Sequence, residues 1–172
     1  MKILIRKVLF LVLLVSCIYG HPHTFIEVKT IVEVTDEIID NIRVRWIIDE
    51  MTSMILIMEF DNNGNGKFEK EENDFIYNNY FISLEKYSFY THILLNKEKL
   101  TINPKNFVAS IENNRLIYDF DIVEALNMKN LKIDFLDNEL FIGMILKENY
   151  INFIGVSNKQ SKQLKKKIFG VN

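Results

Sequence analysis

From Thr24 to Val34 the chain alternates in character. Thr24, Ile26, Val28, Thr30, Val32 and Val34 occupy the even positions, and Glu27, Lys29 and Glu33 are among the odd ones. A period of two with β-branched residues predicts a strand with one buried face. Asp36–Asp40 reads as a turn. Asn41–Ile48 alternates again, with Ile42, Val44, Trp46 and Ile48 on one side and Arg43 and Arg45 on the other. The two runs predict a hairpin. The period then changes. Met51, Met54, Ile55 and Met58 stand at i, i+3, i+4 and i+7, a helical stripe, with Asp49, Thr52 or Ser53 as its cap. A loop runs from Asp61 to Glu72. A second helix is predicted from about Lys70 to about Glu85, carrying Phe75, Ile76, Tyr80 and Leu84.

The second half reads as short strands: Phe89–Leu95, Lys99–Ile102, Phe107–Glu112, Arg115–Val123, Leu131–Leu136, Leu140–Lys147 and Tyr150–Val156. Asn96-Lys97-Glu98, Asn113-Asn114 and Asp137-Asn138 are turn-like breaks between them. The expected fold class is α+β, mainly β: an antiparallel sandwich or curled sheet with an inserted EF-hand-like helix-loop-helix. Residues 21–156 form one domain, with the insertion at about 50–85. Residues 157–172, with Lys159, Lys162, Lys165, Lys166 and Lys167, read as a basic, solvated tail.

Composition changes this picture in one place. The 172 residues carry 21 Lys+Arg against 23 Asp+Glu and are 48% hydrophobic, which supports a packed core and gives no sign of a nucleic-acid binder. The first twenty residues are different. Lys2, Arg6 and Lys7 precede the apolar run Val8–Val15, the layout of an export signal. Three basic residues and no acid leave with it, taking the formal net charge from −2 to −5. Two processing sites fit. Leu14-Val15-Ser16-Cys17 resembles a bacterial lipoprotein box, with Cys17, the one cysteine, as the lipidation site. Cleavage after Gly20 would instead free His21 as the mature N-terminus. The expected location is the periplasm or cell envelope, with a lipid anchor in the first case.

The strongest local motif is Asp61–Glu72. It meets the calcium-loop pattern D-x-[DN]-x-[DN]-G-x5-E at every defined position. Calcium takes about six to eight oxygen ligands. Asp61, Asn63 and Asn65 offer side-chain oxygens, Lys67 its carbonyl, Glu69 an oxygen often reached through water, and Glu72 a bidentate carboxylate. Gly66 permits the sharp turn, and Phe68 stands where such loops pack inward. With Asn63 and Asn65 neutral, the formal ligand charge is −3, which points to weak binding and a structural site rather than a sensor.

His21 and His23 stand at i and i+2, on the same side of an extended chain. Neutral imidazole is a good ligand for zinc or nickel. If the hairpin is centred near Ile38, Glu27 falls opposite Asp49 and His23 near Ser53. Asp49 would then complete a transition-metal site with His21 and His23. A mobile N-terminal arm is the competing reading. His92 lies far along the chain and reads as a packed histidine.

These blocks together resemble the uncharacterised periplasmic family known as the periplasmic component of an ABC-type transport system, found beside nickel/cobalt-type permeases. The resemblance rests on His21-Pro22-His23-Thr24-Phe25-Ile26 after the signal, on Trp46-Ile47-Ile48-Asp49-Glu50-Met51-Thr52-Ser53, and on the loop Asp61–Glu72. It departs in the C-terminal half, where Leu136–Phe141 replaces an aromatic segment. The resemblance implies an exported accessory protein for divalent-metal transport, with a membrane permease as partner. The competing function is a calcium-stabilised cell-envelope interaction lipoprotein with no transition-metal role. No G-x-S-x-G, H-E-x-x-H or phosphate-loop motif is present, and no enzyme is expected.

Overall fold

A computed structural model describes residues 24–171. The signal, Cys17, His21 and His23 lie outside the described residues.

Three two-residue hairpin turns set the register of much of the sheet structure. β1 (Thr24–Thr35) meets β2 (Ile38–Ile48) through Asp36-Glu37. β3 (Thr91–Leu95) meets β4 (Glu98–Leu100) through Asn96-Lys97. β5 (Lys105–Glu112) meets β6 (Arg115–Ile122) through Asn113-Asn114. All six turn residues have positive φ, as a type I′ turn requires. Asn and Asp tolerate that conformation best, so two of these turns were legible as Asn-containing breaks.

The larger sheet has the order β5-β6-β2-β1-β9, with β7 (Leu126–Asn127) pairing the start of β2; the smaller has the order β4-β3-β8, where β8 is Leu131–Phe135. The fold is α+β and mainly β, and the sheets do not close into a barrel. One edge departs from the antiparallel expectation. β9 (Ile142–Ile154) runs parallel to β1, pairing Thr24 with Ile142 and Glu33 with Ile154. It unites two runs that the sequence separates. Val28 pairs with Leu146 but Thr30 with Ile151, so four residues of β9 stand opposite the single Lys29 and the strand bulges there. Beyond the strand, Gly155 has φ +90°, and a Cβ there would stand 2.0 Å from the Val34 carbonyl oxygen, so only glycine fits.

The even-numbered face of β1 is buried, as is the Ile42, Val44, Trp46, Ile48 face of β2. Trp46 is enclosed by Phe81, Tyr90, Tyr118 and Phe120, with centroid separations of 5.1 to 6.5 Å. On the outer face the arginines form cross-strand pairs. Arg45 donates from Nε and Nη2 to both oxygens of Asp119, each at 2.8 Å, and Arg43 donates to Asp121 at 3.3 Å.

α1 (Glu50–Phe60) forms where predicted but faces the other way. Its buried residues are Ser53 and Phe60, with Leu56 and Ile57 half-buried, whereas Met51, Met54, Ile55 and Met58 are exposed. Residues 53, 56, 57 and 60 also stand at i, i+3, i+4, i+7. The helix carries two stripes of helical period, and the one containing the small polar Ser53 faces the core. The reason is that the β6 backbone comes close there. The Ser53 hydroxyl accepts from the Leu116 N–H at 2.9 Å and donates to the Ile48 carbonyl at 3.0 Å.

α2 (Lys70–Ile76) continues through a π-turn, Tyr77–Phe81, into a 3-10 segment, Ile82–Tyr90. The wider turn explains why its buried residues are Ile76 and Phe81, five apart, while Phe75 is exposed. The segment ends with Ser88, Phe89 and Tyr90 all at positive φ. The rings of Phe89 and Tyr90 are buried, so the core holds this costly backbone in place.

Residues 157–171 are not a frayed tail. Ser157 caps α3 (Asn158–Leu164), and a π-turn, Lys165–Phe169, delivers Ile168 and Phe169 into the core. Phe169 lies 6.5 Å from Phe135 and 6.2 Å from Phe153, ring centre to ring centre. The lysines sit on the other side of a docked helix.

Candidate functional site

The loop between α1 and α2 is organised by its own side chains. Asp61 ends α1, and its two oxygens accept from the N–H groups of Asn65 at 3.1 Å and Gly66 at 2.8 Å. Asn63 Oδ1 also accepts from the Asn65 N–H at 2.9 Å, and Asn65 Oδ1 accepts from the Lys67 N–H at 2.9 Å. Gly66 has φ +75°, the left-handed conformation that position 6 of such a loop demands. Asn65 Nδ2 donates to Glu69 Oε1 at 3.1 Å. Asp61, Asn65 and Glu69 are thus drawn towards one another.

Glu72 closes the loop from the far side. Its oxygens accept from the Asn62 N–H at 2.9 Å and the Glu69 N–H at 3.0 Å. Its residue is only 6% exposed, and it has no ion-pair partner among the described residues. Both oxygens are held by backbone N–H groups, and the carboxylate forms a capping box with Glu69 in the first turn of α2, so its position in the loop is fixed. Phe68 packs inward on Phe60, with centroids 6.3 Å apart.

One residue of this region escaped sequence reasoning. Asn73 donates from Nδ2 to the Phe68 carbonyl at 3.1 Å and accepts, through Oδ1, from the Ala109 N–H at 2.6 Å. It ties the loop to edge strand β5. An Asn one residue past the motif carried no signal of that contact.

The donor set is all oxygen: Asp61, Asn63, Asn65, the Lys67 carbonyl, Glu69 and Glu72. This chemistry fits calcium or another hard cation and not a soft metal. Among the described residues no three His, Cys, Asp or Glu side chains form a ready metal cluster. Of the loop's side-chain donors three, Asp61, Glu69 and Glu72, are carboxylates and two, Asn63 and Asn65, are amides.

Asp49 has a different place from the one its pairing suggested. The hairpin turn lies at Asp36-Glu37 and a bulge follows Glu33, so Asp49 lies beside Phe25 while Glu27 pairs with Ile47. Asp49 is the cap of α1. Oδ1 accepts from the Thr52 N–H at 3.0 Å and Oδ2 from the Phe25 N–H at 3.0 Å. Burial pushes its carboxyl up, but the N–H groups of Thr52, Phe25 and Met51 outweigh this and hold it below the ordinary range. Its oxygens already serve the backbone. Glu27 is also engaged elsewhere, accepting from the Tyr150 hydroxyl at 3.0 Å. The Thr24 and Thr52 hydroxyls lie 3.2 Å apart, so the chain enters the fold fastened to the first turn of α1. His21 and His23 lie outside the described residues. His92 belongs to the smaller sheet, with Nε2 3.3 Å from the Leu136 carbonyl, as a packed histidine would.

Among known proteins, the family model described as a protein of unknown function (DUF1007) matches residues 7–166. The chain is similar to an uncharacterised 15.5 kDa protein in the trpE 3' region of Spirochaeta aurantia. The two are 33% identical over 98 residues, 55% of this chain and 70% of the relative. It is also similar to an uncharacterised protein of Haemophilus influenzae, at 26% identity over 107 residues, 61% of this chain and 50% of that relative. The chain therefore spans half the length of the second. No solved structure matches.

Proposed function

We propose, on the premise that the chain belongs to the DUF1007 family of proteins of unknown function, that it is an exported divalent-metal-binding accessory protein. Its role is auxiliary to a transition-metal transport system, and its calcium site at 61–72 is structural. It works in the periplasm or cell envelope, held by a lipid at Cys17 or released after Gly20, beside a membrane permease.

The observation that carries the calcium part is Glu72, a buried carboxylate that closes a loop already shaped by Asp61. When bound, calcium supplies the positive charge that Asp61, Glu69 and Glu72 lack. The chain does the rest. Asp61 ends one helix, Glu72 lies in the first turn of the next, and Asn73 carries their relative position to β5. The transition-metal part rests on the sequence positions of His21 and His23, which lie outside the described residues; the first described residues after them, Thr24 and Phe25, are bonded to Thr52 and Asp49. Asp49 acts in this reading as the fastening, and the two imidazoles are the ligands.

Isothermal titration of zinc or nickel into the full chain tests the second part, with His21→Ala/His23→Ala as the control. Binding at neutral pH that vanishes in the variant is expected. Absence of binding leaves the calcium-stabilised envelope module as the better reading, and binding that survives in the variant overturns the assignment to His21 and His23. The exposed face of α1 favours that alternative, because a protein partner would cover it.

A further inference from the structure

The left-handed run Ser88-Phe89-Tyr90 and the chain that follows β8 border a small polar cavity of about 120 Å³. Tyr87, Ser88 and Tyr90 line it from the first segment, Leu136 to Glu139 from the second, and Lys86 and Lys99 complete it. Leu136 ties the two segments together. Its N–H donates to the Tyr90 carbonyl at 3.0 Å, and its carbonyl accepts from His92 Nε2 at 3.3 Å.

The Tyr90 hydroxyl is not explained by the fold. Its residue is only 2% exposed, and its ring packs 5.7 Å from Trp46 and 6.0 Å from Tyr87, centre to centre. Yet the hydroxyl has no hydrogen-bond partner among the described residues. Burial, then the charge of Asp137, then Tyr87 push its pKa up, so it keeps its proton and stands as a donor. A buried donor without an acceptor is costly, and an acceptor entering the cavity would remove that cost.

The charges favour an anion as that acceptor. Lys86 and Lys99 are exposed and have no carboxylate within ion-pair distance among the described residues. Asp137 also lines the cavity, but its two oxygens are taken by the N–H groups of Glu139, Leu140 and Ile142 at 2.8 to 3.1 Å. Two ammonium groups therefore face one uncommitted carboxylate, the exposed Glu139. At about 30 Å³ per water the space equals about four waters. That is below the ~300 Å³ at which drug-sized sites begin and suits one central atom with its oxygens.

We propose that this cavity binds a small oxyanion of phosphate size, with the Tyr90 hydroxyl donating to it from the buried side and Lys86 and Lys99 supplying charge at the mouth. The site is separate from the loop at 61–72 and from His21 and His23, and it stands whether or not the metal reading does.

Sodium phosphate, titrated into the full chain at constant ionic strength with sodium chloride as the balance, is the test, read by backbone amide resonances. Shifts confined to residues 86–92 and 136–139 that saturate with one dissociation constant are expected. Tyr90→Phe should weaken binding by about tenfold or more, the loss of a hydrogen bond to a charged group. Its melting temperature without phosphate should be unchanged or higher, because no bond within the protein is lost. Lys99→Ala should weaken binding and Glu139→Gln should tighten it. Glycerol phosphate binding as well as the free ion would assign the site to the terminal phosphate of a larger molecule; binding of inorganic phosphate alone would assign it to the free ion. Shifts that never saturate or that centre on the lysines of α3, equal affinity for acetate, or undiminished binding in Tyr90→Phe would overturn the proposal. If Tyr90→Phe folds poorly, its hydroxyl is structural and the role given to it is wrong.

Discussion

Phe25 and Asp49 hold each other at two points: the Asp49 N–H donates to the Phe25 carbonyl at 2.8 Å, and the Phe25 N–H donates to Asp49 Oδ2 at 3.0 Å. One carboxylate thereby ends a hairpin and starts a helix, because its other oxygen takes the Thr52 N–H. Asp49→Ala should lower stability by about 1–2 kcal/mol, the cost of an N-cap with its strand contact. Asp49→Asn should lose less. Urea midpoints at constant m-value measure both.

Acid should weaken the same join. The folded-state pKa of Asp49 is depressed, and so is that of Asp137. There burial pushes up, but the N–H groups of Ile142, Glu139 and Leu140 prevail. A depressed carboxylate contributes stability that is full above its unfolded value, about 3.9, and is lost as pH falls through the folded value. Stability should therefore be level near neutrality and decline below about pH 4, and the decline should be shallower in Asp49→Ala and Asp137→Ala. Denaturation at a series of pH values would show parallel curves if neither group takes part.

Ser53→Ala removes little more than an oxygen, yet it strands the Leu116 N–H inside the protein and leaves the Ile48 carbonyl with the Arg115 Nε donor alone. A cost of about 1–3 kcal/mol is expected, larger than a surface serine would show. Thr52→Ala, at a half-buried position, makes a fair comparison in the same melt.

For the calcium loop, a dissociation constant of about 0.1 mM and calcium at about 1 mM give a gain of about 1.4 kcal/mol. That gain raises the melting temperature by about 3–6 °C. Glu72→Gln should abolish most of it. The same change should lower the calcium-free melt by about 1 kcal/mol, because Glu72 also accepts the Asn62 and Glu69 N–H groups and an amide nitrogen cannot. Lys67→Ala, with an exposed side chain, should keep the calcium effect. Identical melts in chelator and in several millimolar calcium would reduce the loop to an ordinary turn.

Phe169→Ala should cost about 3–5 kcal/mol, as for a buried ring, although it lies in what composition marks as a tail. A free tail would show no change in the urea midpoint.

What was legible in the sequence was local. The alternation of β1 and β2, the Asn-rich turns and the spacing of Asp61–Glu72 each act within a few residues. What was hidden depends on partners far along the chain. Periodicity located α1 but not its inward face, because the choice of Ser53 is made by Leu116 on β6. Phe169 read as part of a solvated lysine segment because Phe135 and Phe153 are remote from it. The π-turn at Tyr77–Phe81 displaced the stripe on α2 by one residue, and the bulge in β9 disguised one strand as two. Asp49 was correctly found beside the hairpin end, but a two-residue turn and a bulge gave it a different neighbour.

The parallel pairing of Thr24 with Ile142 also governs time. β1 cannot gain its second neighbour until β9 has been made, and the intervening chain must first be brought round at the entropy cost of a very long loop. Contacts this distant in sequence place folding at the slow end, milliseconds to seconds or beyond. While it waits, β1 has one open side, and an apolar strand in that state is prone to pair with other chains.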